Sequence, residues 1–150
     1  MDAIGKVGLI LHRKQAQIWS IAPEAMVFDA IRLMAEKNIG ALLVLDQSGT
    51  LLGSVSERDY TRKVMLKGRT SKDTAVHEIM ETHLHPVSPH ETVTECMKVM
   101  TEERIRHLPV MEDGKLIGIV SIGDLVNWII AAQEMTIEHL QKYISGGYPA

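Results

Sequence analysis

Gly118-Ile119-Val120-Ser121-Ile122-Gly123-Asp124 repeats a form that the chain has used once already, at Gly53-Ser54-Val55-Ser56-Glu57-Arg58-Asp59. Both stretches read Gly-x-Val-Ser-x-x-Asp, each behind an apolar run and ahead of a helix-like one. Two copies in matched surroundings mark an internal repeat, and that decides the architecture before any single element is assigned. Working outward, Pro23 matches Pro89, Val27 matches Val93 and Met34 matches Met100, all 66 residues apart. Past Glu112-Asp113-Gly114, a turn one residue shorter than its counterpart, Gly53, Ser56 and Asp59 match Gly118, Ser121 and Asp124 at a spacing of 65. A steady register with one change of turn length predicts a duplicated β-α-β-β-α unit, an α+β fold.

Within the first unit, Trp19-Ser20-Ile21 is a short extended piece stopped by Pro23. Val27, Ala30, Ile31 and Met34 form the apolar stripe of an amphipathic helix that ends at Asn38-Ile39-Gly40. Ala41–Leu45 is a continuous apolar strand, Asp46-Gln47-Ser48-Gly49 supplies turn chemistry, Leu51–Ser56 is a second strand and Glu57–Leu66 a second helix. The division predicted is a lead-in at 1–18, a first repeat at 19–66, a linker with one helical turn at 67–84, a second repeat at 85–133 and a helical extension and tail at 134–150. In the lead-in, Ile4, Val7 and Leu11 share one side of a short helix that Gly5 and Gly8 weaken. The last helix is expected from Leu125 to Ile144. Cys96 falls on an inward helix stripe opposite Ala30 and reads as core; Met26, Met34, Met97 and Met100 read as core filler.

With 150 residues, 45% of them hydrophobic and 23% charged, the chain has apolar content for a real core. A formal net charge of -3 and no Lys/Arg run speak against nucleic acid as a partner. One cysteine excludes an internal disulfide and fits a reducing compartment. The apolar runs are too short to span a bilayer and the N-terminus is a poor signal peptide, so no membrane role and a cytoplasmic location are expected.

The plain reading of Ser-x-x-Asp is a helix start, with the hydroxyl capping a free N–H and the acid reaching back. Three features add a ligand reading. The acid is Asp both times, where the capping box prefers Glu. Both copies lie where a strand runs into a helix, and both stand at equivalent points of a duplicated unit. A short carboxylate there accepts both hydrogen bonds of a cis-diol such as a ribose 2′,3′-OH pair.

The two motifs, the Arg106-His107-Leu108-Pro109-Val110 strand start, Ser56-Glu57-Arg58-Asp59-Tyr60 with Arg62, and Val76-x-x-Ile79-Met80 together resemble a tandem pair of cystathionine-β-synthase-type (CBS) domains, a Bateman module of the small stand-alone prokaryotic kind. The resemblance covers roughly residues 8 to 133. It implies repeats packed about a pseudo-two-fold axis, with two clefts that take adenine nucleotides such as AMP, ADP, ATP, NAD or S-adenosylmethionine. Carried over, the first cleft holds ribose with Asp59 and Ser56, sets Thr82 and His85 beside the adenine, and places Arg106 and His107 near the phosphates. The second uses Asp124 and Ser121, with Lys14, Ala16 and Trp19 from the lead-in and Gly40 and Ala41 at the strand start. The clefts are expected to differ. Arg58, with Arg62 as a further candidate, and the Arg106-His107 pair favour a charged mono- or diphosphate in the first. Ile122-Gly123 and Gly40-Ala41 bring no charge to the second, which would take a less charged or bulkier adenosine ligand, or stay weak.

No phosphate-loop motif is present, and nothing in the sequence sets a base beside an exposed nucleophile, so no catalytic activity and no catalytic cofactor are expected. His83, His85 and His90 with Glu91 match no zinc spacing. The expectation is a regulatory module that senses adenine nucleotides, works as a homodimer and acts on an effector protein. The alternative is a structural or interaction protein whose clefts bind no nucleotide.

Overall fold

A computed structural model describes residues 5–14 and 17–144. In chain order the elements are α1 (Val7–Lys14), β1 (Ser20–Ile21), α2 (Val27–Lys37), β2 (Ala41–Leu45), β3 (Leu51–Ser56), α3 (Glu57–Tyr60) with a π turn over Thr61–Met65, α4 (Val76–Ile79), α5 (Val93–Glu103), β4 (His107–Glu112), β5 (Lys115–Ser121) and α6 (Ile122–Ile144). They form two units. One is Gln17–His85, and the other joins α1 to everything from Pro86 onward.

In the Gln17–His85 unit, β1 runs parallel to β2 and β2 antiparallel to β3, giving the order β1-β2-β3. Leu42, Leu43 and Val44 are buried, as the unbroken apolar run predicts. The stripe of α2 buries Val27, Ala30 and Met34 against this unit's core. The helix stops where Asn38 turns left-handed at φ 54° and the Ile39 N–H returns to the Met34 carbonyl at 3.0 Å. The other unit repeats this plan. Val93, Cys96 and Met100 of α5 are buried, β4 pairs antiparallel with β5, and Val87 adds a parallel bridge to Val110. Here the left-handed cap is Arg104 at φ 55°, a residue type that gives no such signal in sequence. Asp113 and Gly114, both at positive φ, form the tight hairpin turn between β4 and β5.

α1 lies in the lead-in and α4 in the linker, where a short helix and one helical turn were expected; what the sequence did not suggest is where they pack. α1 precedes the first repeat but completes the unit of the second, where Val7, Ile10 and Leu11 join the core. Its free helix-start N–H groups are satisfied there, Val7 donating to the Glu91 carbonyl and Gly8 to the Pro89 carbonyl, both at 2.9 Å. α4 precedes the second repeat and completes the unit of the first in the same way, with Val76 donating to Ala25 at 2.8 Å and His77 to Pro23 at 3.0 Å. Each repeat is thus finished by the segment that introduces the other. Gly8 does not break α1, and it makes room for Pro89, whose carbonyl oxygen would stand 3.1 Å from a Cβ there.

Two helices differ from expectation. The helix predicted over Glu57–Leu66 is α-helical for one turn only. It then widens, with the Leu66 N–H bonding to the Thr61 carbonyl, and the wide turn buries Val64 while Lys63 reaches the Ile79 carbonyl at 2.8 Å. α6 begins at Ile122 and not Leu125, because Ser121 is itself the cap.

Candidate functional site

Each Gly-x-Val-Ser-x-x-Asp stretch is the last part of a strand and the first turn of a helix. The glycine serves the crossing of a lead-in segment. A Cβ on Gly53 would lie 2.6 Å from the carbonyl oxygen of Glu81, whose backbone runs alongside β3, accepting the Ser54 N–H at 2.9 Å and donating its own N–H to the Ser54 carbonyl at 2.8 Å. A Cβ on Gly118 would meet the Leu11 side chain of α1 at 2.8 Å. The valine points into the core, and Val55 and Val120 are fully buried. The serine closes the strand and caps the helix.

At the first motif the Ser56 Oγ accepts the Asp59 N–H at 3.1 Å, and the Ser56 N–H donates to Asp59 Oδ2 at 2.9 Å. The Ser56 hydroxyl lies 3.0 Å from the same Oδ2. Asp59 Oδ1 stands 3.2 Å from the Lys63 ammonium, and its side chain keeps 16% of its exposure. At the second motif the Ser121 Oγ accepts the Asp124 N–H at 3.1 Å, and the Ser121 N–H donates to Asp124 Oδ2 at 2.9 Å. The same oxygen accepts from Lys14 Nζ at 2.8 Å, while that ammonium also reaches the Ile119 carbonyl at 3.4 Å. Both motifs are therefore capping boxes, closed by Asp where Glu is usual. Neither carboxylate is sealed, since Asp124 is 21% exposed.

The surroundings set the charge. Burial pushes the Asp124 carboxyl upward, yet the Lys14 hydrogen bond, the Ser121 N–H and the Lys14 charge together hold it below the ordinary value. His107 pairs with Ser121 across the β4–β5 ladder. Burial drives its imidazole below the usual histidine range, the Asp124 charge opposing and Lys14 and Arg106 assisting. In the other unit, Ala41 takes the place opposite Ser56, and the Gly40 carbonyl accepts the Glu57 N–H at 3.1 Å, as that of Arg106 accepts the Ile122 N–H at 2.8 Å.

The structure thus brings Lys14, His107, Ser121 and Asp124 together in one unit. The sequence-based grouping set each motif with the strand start of the other repeat; within its own unit each motif stands beside its own, Gly40-Ala41 with Ser56 and Arg106-His107 with Ser121. Arg58 and Arg62 are exposed, as is Thr82, while His85 is half-buried. Trp19 is half-buried just ahead of β1, with the Lys37 ammonium 4.3 Å from its ring centroid. Ala16 lies outside the described residues. Sequence reasoning missed Lys63, whose signal is its place four residues after Asp59 on one helix. It also missed that Val7-x-x-Ile10-Leu11 and Val76-x-x-Ile79-Met80 are copies of one another.

In chemical terms the two sites offer hydrogen-bond acceptors at fixed positions. The serine hydroxyls are engaged in capping, and Cys96 is buried with its thiol pushed up to about 12, out of reach as a nucleophile. Among the described residues no three His, Cys, Asp or Glu side chains converge to hold a metal ion, and no helix is long and apolar enough to cross a membrane.

The family model of the CBS domain matches residues 13–66 and again 76–131. A mitochondrial CBS-domain-containing protein of Arabidopsis thaliana is 43% identical over 126 residues, 81% of this chain, and the chain spans 61% of that relative's length. YhcV, a CBS-domain-containing protein of Bacillus subtilis, is 33% identical over 109 residues, 73% of this chain and 76% of that one. The solved structure of a candidate signal-transduction protein with CBS domains from Burkholderia ambifaria MC40-6 is 50% identical and superposes with a TM-score of 0.81, covering 84% of this chain and 94% of that one.

Proposed function

The chain belongs to the CBS-domain family as a tandem pair, and on that premise we propose that it is a regulatory module binding an adenine nucleotide (AMP, ADP, ATP or NAD) in two inequivalent clefts between its repeats. The observation that carries this reading is the state of the two motif carboxylates. Each is fixed through Oδ2 by the N–H of its own serine, with Oδ1 turned away from the cap. A carboxylate pinned in this way loses little side-chain entropy on accepting the two O–H groups of a ribose.

The module works by population shift. A ligand that contacts both repeats changes their arrangement only as far as it binds one arrangement better than another. The readout is a surface seen by an effector protein, presented by a homodimer, and the bound nucleotide leaves unchanged.

Calorimetry with AMP, ADP, ATP and NAD tests this on the wild type and on Asp59→Asn and Asp124→Asn. Asparagine keeps the acceptor for the serine N–H and removes the charge, so the cap survives. We expect saturable binding, a melting temperature that rises with ligand by mass action, and two unequal sites, one lost in each variant. No heat and no thermal shift with any of the four ligands would overturn the reading.

A further inference from the structure

We propose that Lys14 is an internal competitor for the sugar-binding face of Asp124, and that it makes the second motif select phosphorylated adenosine ligands over neutral ones. This rests on the reading of the motif as a ribose site. A vicinal diol donates two hydrogen bonds and needs both carboxylate oxygens. Among the described residues, Oδ1 of Asp124 accepts none, whereas Oδ2 already accepts from Ser121 and, at 2.8 Å, from the Lys14 ammonium. The Ser121 bond belongs to the helix cap and stays. The diol therefore competes with Lys14.

Lys14 is suited to exchange. It is the last residue of α1, its side chain is 38% exposed, and its second contact, to the Ile119 carbonyl, is a long 3.4 Å. A neutral nucleoside replaces an ion pair with bonds in which only the carboxylate is charged, and leaves the ammonium unpaired. A nucleotide supplies a phosphate as the new partner, so the ion pair is exchanged and not lost. The same logic does not extend to Asp59. Its Lys63 holds the Ile79 carbonyl at 2.8 Å and approaches Oδ1 from the carboxylate's own helix, so it has an anchor that a ligand does not disturb. The consequence departs from the sequence-based expectation that the second cleft, lacking the basic pair, prefers the less charged ligand.

The experiment is calorimetric titration of adenosine and of AMP into an Asp59→Asn chain, which isolates the second motif, with and without Lys14→Met and Lys14→Arg. The same pair of titrations in the Asp59 chain, fitted to two sites, covers a folding defect in the background variant. Lys14→Met should strengthen adenosine and weaken AMP, lowering the ratio of AMP to adenosine affinity about ten-fold, and Lys14→Arg should keep the wild-type ratio. Binding whose ratio is the same in Lys14→Met as in wild type overturns the competitor and leaves the nucleotide reading intact. No binding of either ligand to any chain overturns both.

Discussion

At the first motif the lysine beside the carboxylate comes from the helix that the carboxylate starts, Lys63 four residues on. At the second it comes from α1, 110 residues earlier in the chain. The backbone around the two is the same: a strand ending in a capping serine, an aspartate reaching back to the serine N–H, a glycine under a crossing segment. Duplication has kept what the local chain encodes. What has diverged is the supply of charge, because that depends on side chains brought in from the element packed across the motif. On one side this is α4 with its Ile79 carbonyl, and on the other α1 with Lys14 at its end. Two motifs with one skeleton therefore differ in the charge beside the carboxylate, and under the proposed function that difference sets ligand preference.

The largest expected effects break the comparison at those crossing segments. Leu11 is 9% exposed in the core of the second repeat's unit, and Ile79 is 2% exposed in that of the first. Leu11→Ala and Ile79→Ala should each cost about 2–5 kcal/mol. The informative readout is where the cost falls. Native-state hydrogen exchange should show Leu11→Ala exposing β4, β5 and α6 while β2 and β3 keep their protection, with the reverse for Ile79→Ala. Loss of protection in β2 and β3 from the Leu11 variant alone would contradict the assignment of α1 to the other unit.

A smaller effect separates the two glycines. An added methyl at 53 meets the backbone oxygen of Glu81 at 2.6 Å, in a residue whose N–H and carbonyl are both bonded to Ser54, whereas at 118 it meets the end of a leucine side chain that can turn aside. Gly53→Ala should cost about 1–3 kcal/mol and Gly118→Ala clearly less, as read from urea unfolding. Equal costs would mean that the Glu81 segment yields as easily as a side chain.

Much of this was legible beforehand. The strands Ala41–Leu45 and Leu51–Ser56 fall where the apolar run and the turn residues put them, because β2 is buried along most of its length and no other element explains Ala-Leu-Leu-Val-Leu. The helix stripe ending at Asn38 was equally readable, since asparagine tolerates the left-handed cap. Arg104 in the same conformation was not, because an αL arginine is imposed by the repeat's tertiary plan and not by its own preference. The exchange of α1 and α4 escaped for a related reason. Both are too short to hold as helices by themselves, and their sequence signal, the paired Val-x-x-Ile, has meaning only once the partner carbonyls at Pro89, Glu91, Pro23 and Ala25 are in place. At the sites, the motif residues were read from the repeat and Lys14 was grouped with Asp124 only through the family resemblance, since the two meet through folding and not through proximity in the chain; Lys63 beside Asp59 went unnamed.

The smallest effect sharpens the comparison at the strand starts, where His107 stands opposite Ser121 and Ala41 opposite Ser56. His107 faces Asp124, which favours the imidazolium, and Lys14 and Arg106, which oppose it; burial, aided by those two cations, outweighs Asp124 and lowers its pKa. A base whose folded pKa lies below its unfolded one binds more protons when unfolded, so stability rises with pH across the interval between the two values. The contribution is whole above the ordinary histidine value of 6.5, falls as the pH drops below it, and levels off below the depressed folded pKa. Ala41 has nothing to titrate. His107→Ala, which gives the second unit the first unit's residue, should therefore flatten the acid loss of melting temperature between pH 7 and 5 by a few degrees at most. The comparison is with wild type carrying the other six of its seven histidines unchanged, so their titration cancels. A slope that His107→Ala leaves as steep as before would place the acid sensitivity elsewhere. In that case Lys14, not the imidazole, is what distinguishes the second motif electrically from the first.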